Sequence, residues 1–244
     1  MSGYNEIFDV QKQLISTGFK PEAVKRGVEA NSLYLTQRSA LIDVYRCTSC
    51  NLVCPNKVPG AGNMDSPVMI LGGAPGKDEL ETGVPFTGAA GTALIMMLEA
   101  LRVYRGRVYM TNAVHCNNID ESTGKLMAPT KNSIDVCRKF LMREIAIQQP
   151  KVILSLGNPA LWSITNQYDK EISQVRGIVS DLDESLFGVK ARVIFSWHPS
   201  YMISQSGDML ERIKQDLWTD ITTAFMMARH MSPSYQFDKR PIGF

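Results

Sequence analysis

Residues 72–91 read GGAPGKDELETGVPFTGAAG, directly after the apolar run Pro67–Leu71. A glycine-rich turn behind a strand lets backbone approach a ligand closely. The Lys-Ser/Thr of a P-loop is absent, and so is the G-x-G-x-x-G of a dinucleotide site. Gly72–Gly76 alone reads as a tight turn, and its meaning comes from what surrounds it.

Working outward, three more short apolar, β-rich runs follow, Arg107–Thr111, Lys151–Leu156 and Arg192–Trp197. Helical stretches separate them, most clearly Ala90–Leu101 and Ile134–Gln149. Strands alternating with helices predict a four-stranded parallel sheet covered on both faces. Ligands of such sheets lie at the carboxyl ends of the strands. The segments of interest are therefore Gly72–Gly76, Asn112–Cys116, Gly157–Ala160 and His198–Tyr201. Upstream, Ile7, Val10 and Leu14, then Leu33, Leu35, Leu41 and Val44, recur at helical spacing, with Gly18 and Pro21 between. This divides the chain into a helical extension (1–46), an α/β domain (47–230) and a tail (231–244). The tail is rich in Pro, Ser and charge from Ser232 on, and is expected to pack loosely.

The 244 residues carry 26 Lys+Arg against 24 Asp+Glu, so global charge does not announce a nucleic-acid binder, although a local basic patch would suffice for one. No apolar run approaches the ~20 residues of a membrane span. The first residues have acids and no apolar core, which excludes a signal peptide and leads us to expect a reducing cytoplasm. There, five cysteines (Cys47, Cys50, Cys54, Cys116 and Cys137) argue for metal or redox chemistry over disulfides. Cys47-x-x-Cys50 is a two-ligand bite without the second C-x-x-C of a zinc ribbon. Nothing strand-like precedes Cys47, as a thioredoxin-type site would need. Spacing alone does not pick four ligands from five.

The 72–91 stretch closely resembles the first motif of the family-four uracil-DNA glycosylases, G-E-A-P-G-x-x-E-D-x-x-G-x-P-F-V-G-x-A-G. Gly72, Ala74, Pro75, Gly76, Glu79, Gly83, Pro85, Phe86, Gly88, Ala90 and Gly91 match without a gap. In the same order, VYMTNAVHC (Val108–Cys116) resembles V-Y-I-T-N-V-V-K-C, KVILSLGNPA (Lys151–Ala160) resembles P-x-x-I-x-x-L-G-x-x-A, Gln174–Gly177 resembles an R-G turn, and Trp197–Tyr201 resembles an H-P-S motif. CTSCNLVCPNKVPGAG resembles the family's opening C-x-x-C-x-L and V-x-G-x-G. The likeness runs from Cys47 to Ser206 and implies a uracil-DNA-glycosylase-like α/β fold. It also implies a 4Fe-4S cluster on Cys47, Cys50, Cys116 and Cys137, with Cys54 spare.

What the resemblance implies about chemistry is base excision from DNA, single- or double-stranded, by a monomer with a possible replication or repair partner. The base must be flipped into a pocket before its N-glycosidic bond is cleaved. Phe86 would stack on it. Asn112 would read its edge through an amide that accepts from N3–H and donates to O4, the reverse of what cytosine requires. Gly73 and Ala74 would lie against the base. His198 would donate to O2 as negative charge grows there. Pro75, Gly76 and Ser200 would grip flanking phosphates, and Tyr201, Met202 and Ile203 would fill the gap left in the stack.

One departure bears on activity. The family's water-orienting Glu is Gly73 here. A positioned base contributes ~10²–10⁴-fold. Asp78 and Glu79 are the nearest acids and the candidates to replace it, although the family Asp after Glu79 is Leu80. His115 stands for the family's Lys, and the polar loop Asn117–Lys131 replaces a C-R-P-P continuation. The retained Phe86, Asn112 and His198 favour an active glycosylase; the alternative is a catalytically weak or inactive module that binds DNA or a replication partner, with a cluster-dependent redox protein as a third class.

Overall fold

The computed structural model describes residues 43–50, 56–117 and 126–239. Most of the expected N-terminal extension, and Cys54, lie outside the described residues; 43–45 are helical.

The strands are β1 (Ala61–Gly62), β2 (Val68–Gly72), β3 (Tyr109–Asn112), β4 (Val152–Leu156), β5 (Val179–Asp181) and β6 (Arg192–Ser196). They form one sheet in the order β1-β3-β2-β4-β6-β5. The four central strands are parallel, as expected. Two short antiparallel edge strands, β1 and β5, extend the sheet to six. Every residue of β2, β3 and β4 is buried, which is why these strands read as continuous apolar runs instead of alternating ones.

Alternate side chains feed two apolar layers. Val68, Ile70, Met110, Leu154 and Ile194 pack with α2 (Ala89–Ala100) and α8 (Gly207–Met231). Met69, Leu71, Ile153, Val193 and Phe195 pack with α3 (Lys131–Gln148) and α4 (Asn158–Thr165). Helix α8 buries Ile213, Leu217, Ile221, Ala224, Phe225 and Ala228, a stripe at helical spacing that faces the sheet. Helix α3 is capped by the Thr130 hydroxyl, which accepts the Ser133 N–H at 3.1 Å. The short helices α1 (Lys77–Thr82), α5 (Ile172–Val175), α6 (Glu184–Phe187) and α7 (Pro199–Ile203) fill the connections.

The tail departs from expectation as far as Lys239. Phe237 is 2% exposed and packs edge-on against Phe225 at 5.1 Å. Its carbonyl accepts the Tyr104 N–H, and the Tyr235 hydroxyl donates to Arg107 O at 2.8 Å. Two aromatic anchors outweigh the polar composition around them. Among the described residues, no helix is long and apolar enough to cross a membrane.

Candidate active site

All four parallel strands release their chains at one edge of the sheet, around a cavity of about 690 Å³. Gly72–Gly76 follows β2, Asn112 ends β3, Gly157 follows β4 and His198 follows β6. The β2 and β3 exits are laced together, because Ala113 N–H donates to Gly72 O and Val114 N–H to Gly73 O.

The cavity wall brings together Gly73, Ala74, Pro75, Gly76, Asp78, Glu79, Phe86, Asn112, His198, Ser200 and Tyr201. Asn112 is 4% exposed, and no hydrogen bond to its carboxamide occurs among the described residues. Its Oδ1 lies against Gly72, whose missing side chain also makes room for the Phe86 ring: a Cβ there would sit 2.8 Å from Phe86 Cζ. A flat apolar face and a free amide thus stand side by side.

His198 caps α7. Its Nδ1 accepts the Ser200 N–H at 3.1 Å and lies 2.7 Å from Ser200 Oγ. An accepting Nδ1 places the ring proton on Nε2. Burial lowers the His198 pKa from 6.5 to about 4. The folded value lies below the unfolded one, so the neutral ring's contribution to stability is present above pH 6.5 and is lost as pH falls towards 4. Near pH 7 the imidazole is neutral, with one N–H to give.

The two acids differ. Glu79 is buried, and its carboxylate accepts the Gly88 N–H at 2.9 Å, bracing the start of α2. That bond ties Glu79 to the α2 start, while the residue still lines the cavity. Asp78 is exposed and keeps its carboxylate at the cavity rim, close to the same glycine. Both sit where the positive end of a helix dipole favours negative charge.

Met202 does not join the cavity. It is 8% exposed and packs in the core. Its neighbours Tyr201 and Ile203, 39% and 47% exposed, are the side chains free to reach outward. Tyr201 leans on Trp197 at 5.1 Å between ring centroids. The wall also includes residues that no motif singled out, among them Glu171, Ile172 and Ser173, together with Asn158 and Asn117. Asn117 Nδ2 donates to Pro75 O at 3.0 Å, so the polar loop does tie to the glycine turn.

Among the described residues, Cys47, Cys50, Cys116 and Cys137 form no disulfide. Cys47, Cys116 and Cys137 share an apolar cluster with Val114, Ile134 and Phe140. Burial pushes the Cys137 thiol up to about 11, nearby Cys50 and Cys47 add to the rise, and the His115 backbone N–H that it accepts opposes it. Among the described residues, no three His, Cys, Asp or Glu side chains converge tightly enough for a single metal ion. A cubane cluster spreads its thiolates more widely around an iron–sulfur core, and an all-thiolate donor set in an apolar pocket suits it.

Residues 59–222 match the family model of the uracil DNA glycosylase superfamily. The type-4 uracil-DNA glycosylase of Archaeoglobus fulgidus is 36% identical over 169 residues, 66% of this chain and 80% of that protein. Those of Thermotoga maritima (36% over 172 residues, 70% and 84%) and Pyrobaculum aerophilum (33% over 165 residues, 66% and 81%) are similar to it to the same degree. The strand-end cavity, the ordered motifs and these matches agree, and the chain belongs to the uracil DNA glycosylase superfamily.

Proposed function

We propose that this protein excises uracil from DNA by hydrolysing the N-glycosidic bond. The observation that carries this reading is the meeting of Phe86, Asn112 and His198 at one cavity. The flipped uracil stacks on Phe86. The Asn112 amide accepts from N3–H and donates to O4. As the C1′–N1 bond breaks, the sugar becomes cationic and the base leaves with its electron pair. The neutral His198 donates its Nε2–H hydrogen bond to O2, where charge collects. Water then adds to C1′, and the proton it gives up neutralises the departed uracil anion.

Ser200 and the backbone of Pro75 and Gly76 lie on the cavity rim, where the phosphates flanking a flipped nucleotide would pass. Tyr201 and Ile203 take the place of the missing base in the stack. With glycine at position 73, Asp78, exposed and in the cavity lining, is a carboxylate available to assist the water. Cys47, Cys50, Cys116 and Cys137 hold a 4Fe-4S cluster, which when bound supplies a structural tie between 43–50, the β3 exit and α3. In this reading the protein acts in the cytoplasm as a monomer.

Single-turnover excision by Asn112→Ala and His198→Ala tests the roles. Each variant should fold, His198→Ala with a modest drop in melting temperature from the lost α7 cap, and each should lose at least ~100-fold in rate, the scale of removing an oxyanion donor. Retained rate in a folded variant removes that residue from the mechanism.

A further inference from the structure

Phe86 has a backbone that its side chain disfavours, with φ 59°. Arg102, Gln149 and Asn166 share this region. Gln149 and Asn166 close α3 and α4, and Arg102 follows the last turn of α2, where left-handed backbone is an ordinary helix ending. Phe86 closes no helix, since α1 has already ended at Gly83. A bulky residue persists in such a conformation only where its surroundings hold it, and such positions cluster at functional sites.

What holds it is Arg105, in the 3₁₀ turn Arg105–Arg107 before β3. Arg105 Nη1 donates to Phe86 O at 3.1 Å, and Nη2 donates to Pro85 O. Gly91, in the first turn of α2, closes the other side, because any side chain there would overlap the Phe86 carbonyl. With its carbonyl fixed, Phe86 turns its ring to Gly72, next to the Asn112 carboxamide. Arg105 itself is not part of the cavity wall.

We propose that Arg105 is a positioning residue: by clamping the Pro85 and Phe86 carbonyls it holds Phe86 left-handed and presents the ring as the stacking face for a pyrimidine. The inference rests on the cavity being a base pocket. A guanidinium suits the task because its fork meets two adjacent carbonyls in fixed geometry, which a lysine ammonium does not.

The test is binding anisotropy with a single-stranded oligonucleotide carrying one 2′-fluoroarabinouridine, whose fluorine resists base departure, against a matched strand with cytosine. Wild type should prefer the uracil strand. Phe86→Ala, Arg105→Ala and Arg105→Lys should each lose about ten-fold of that preference, the scale of one base–aromatic stack. In the Phe86→Ala background, Arg105→Ala should cost no more than about two-fold further, since both changes remove one interaction. Equal cost in both backgrounds, or full preference in Arg105→Lys, overturns the inference. If Arg105→Ala does not fold, Arg105→Lys, which keeps a charge beside Glu79, carries the test. A wild type with no uracil preference overturns the base-pocket reading and this inference with it. A wild type with preference and unaffected Arg105 variants overturns the inference alone.

Discussion

Gly73 stands where the resemblance to the family's first motif places a water-orienting Glu, and its surroundings decide what introducing one would do. It is not among the glycines with positive φ, so a side chain meets no backbone strain. A Cβ would approach Pro159 Cβ and Cγ at 3.3 Å, close enough that the proline ring must yield by a few tenths of an ångström. Gly73→Glu should therefore fold with a small drop in melting temperature and raise uracil release by ~10-fold or more, within what a positioned base contributes. Affinity for uracil-containing DNA should hardly change, because the water attacks from the sugar side. A stable Gly73→Glu protein with no gain in rate would show that the missing carboxylate does not limit the reaction. Arg105 was not legible at this scale. The carbonyls it clamps, those of Pro85 and Phe86, are main-chain groups that leave no mark on residue types.

At the scale of elements, the loop bearing His198 is tied to α8 by buried charge. Arg176 bonds Asp216 at 3.0 Å and Asp220 at 2.8 Å. Asp220, 2% exposed, also accepts the Ser196 hydroxyl at 2.7 Å, and the Trp197 indole N–H donates to Asp216 at 3.1 Å. The end of β6 is thus held by two carboxylates one helical turn apart. Asp220→Ala leaves the Ser196 hydroxyl and half of the Arg176 fork unpaired, and should cost about 2–3 kcal/mol in urea unfolding. A loss under ~0.5 kcal/mol, the range of ordinary surface changes, would show that the network is not stabilising. The R-G turn was visible as a motif, whereas its partners on α8 were not, since Asp216 and Asp220 lie 40 and 44 residues away in sequence. The four central strands were legible because burial on both faces leaves an apolar signature. The edge strands Ala61–Gly62 and Val179–Asp181 are too short to show a period, and only long-range pairing defines them.

Across the whole molecule, motifs spread from Gly72 to Tyr201 bring Phe86, Asn112 and His198 to one cavity. Met202 could not be separated from Tyr201 and Ile203, because only the packing of α7 decides which of three neighbours turns inward. The four described cysteines come from separate segments: two precede the sheet, one follows β3 and one lies on α3. The purified protein should contain iron and sulfide and absorb broadly near ~400 nm. Cys116→Ser should lose the iron and Cys54→Ser should keep it, whereas zinc in place of iron would contradict the cluster. The most direct test of the central claim is strand scission. Three oligonucleotides, identical except for a single uracil, cytosine or thymine, are incubated with the wild-type protein and then treated with alkali. Cleavage at the uracil alone is the expected result; three intact strands, or equal cleavage of all three, would contradict it.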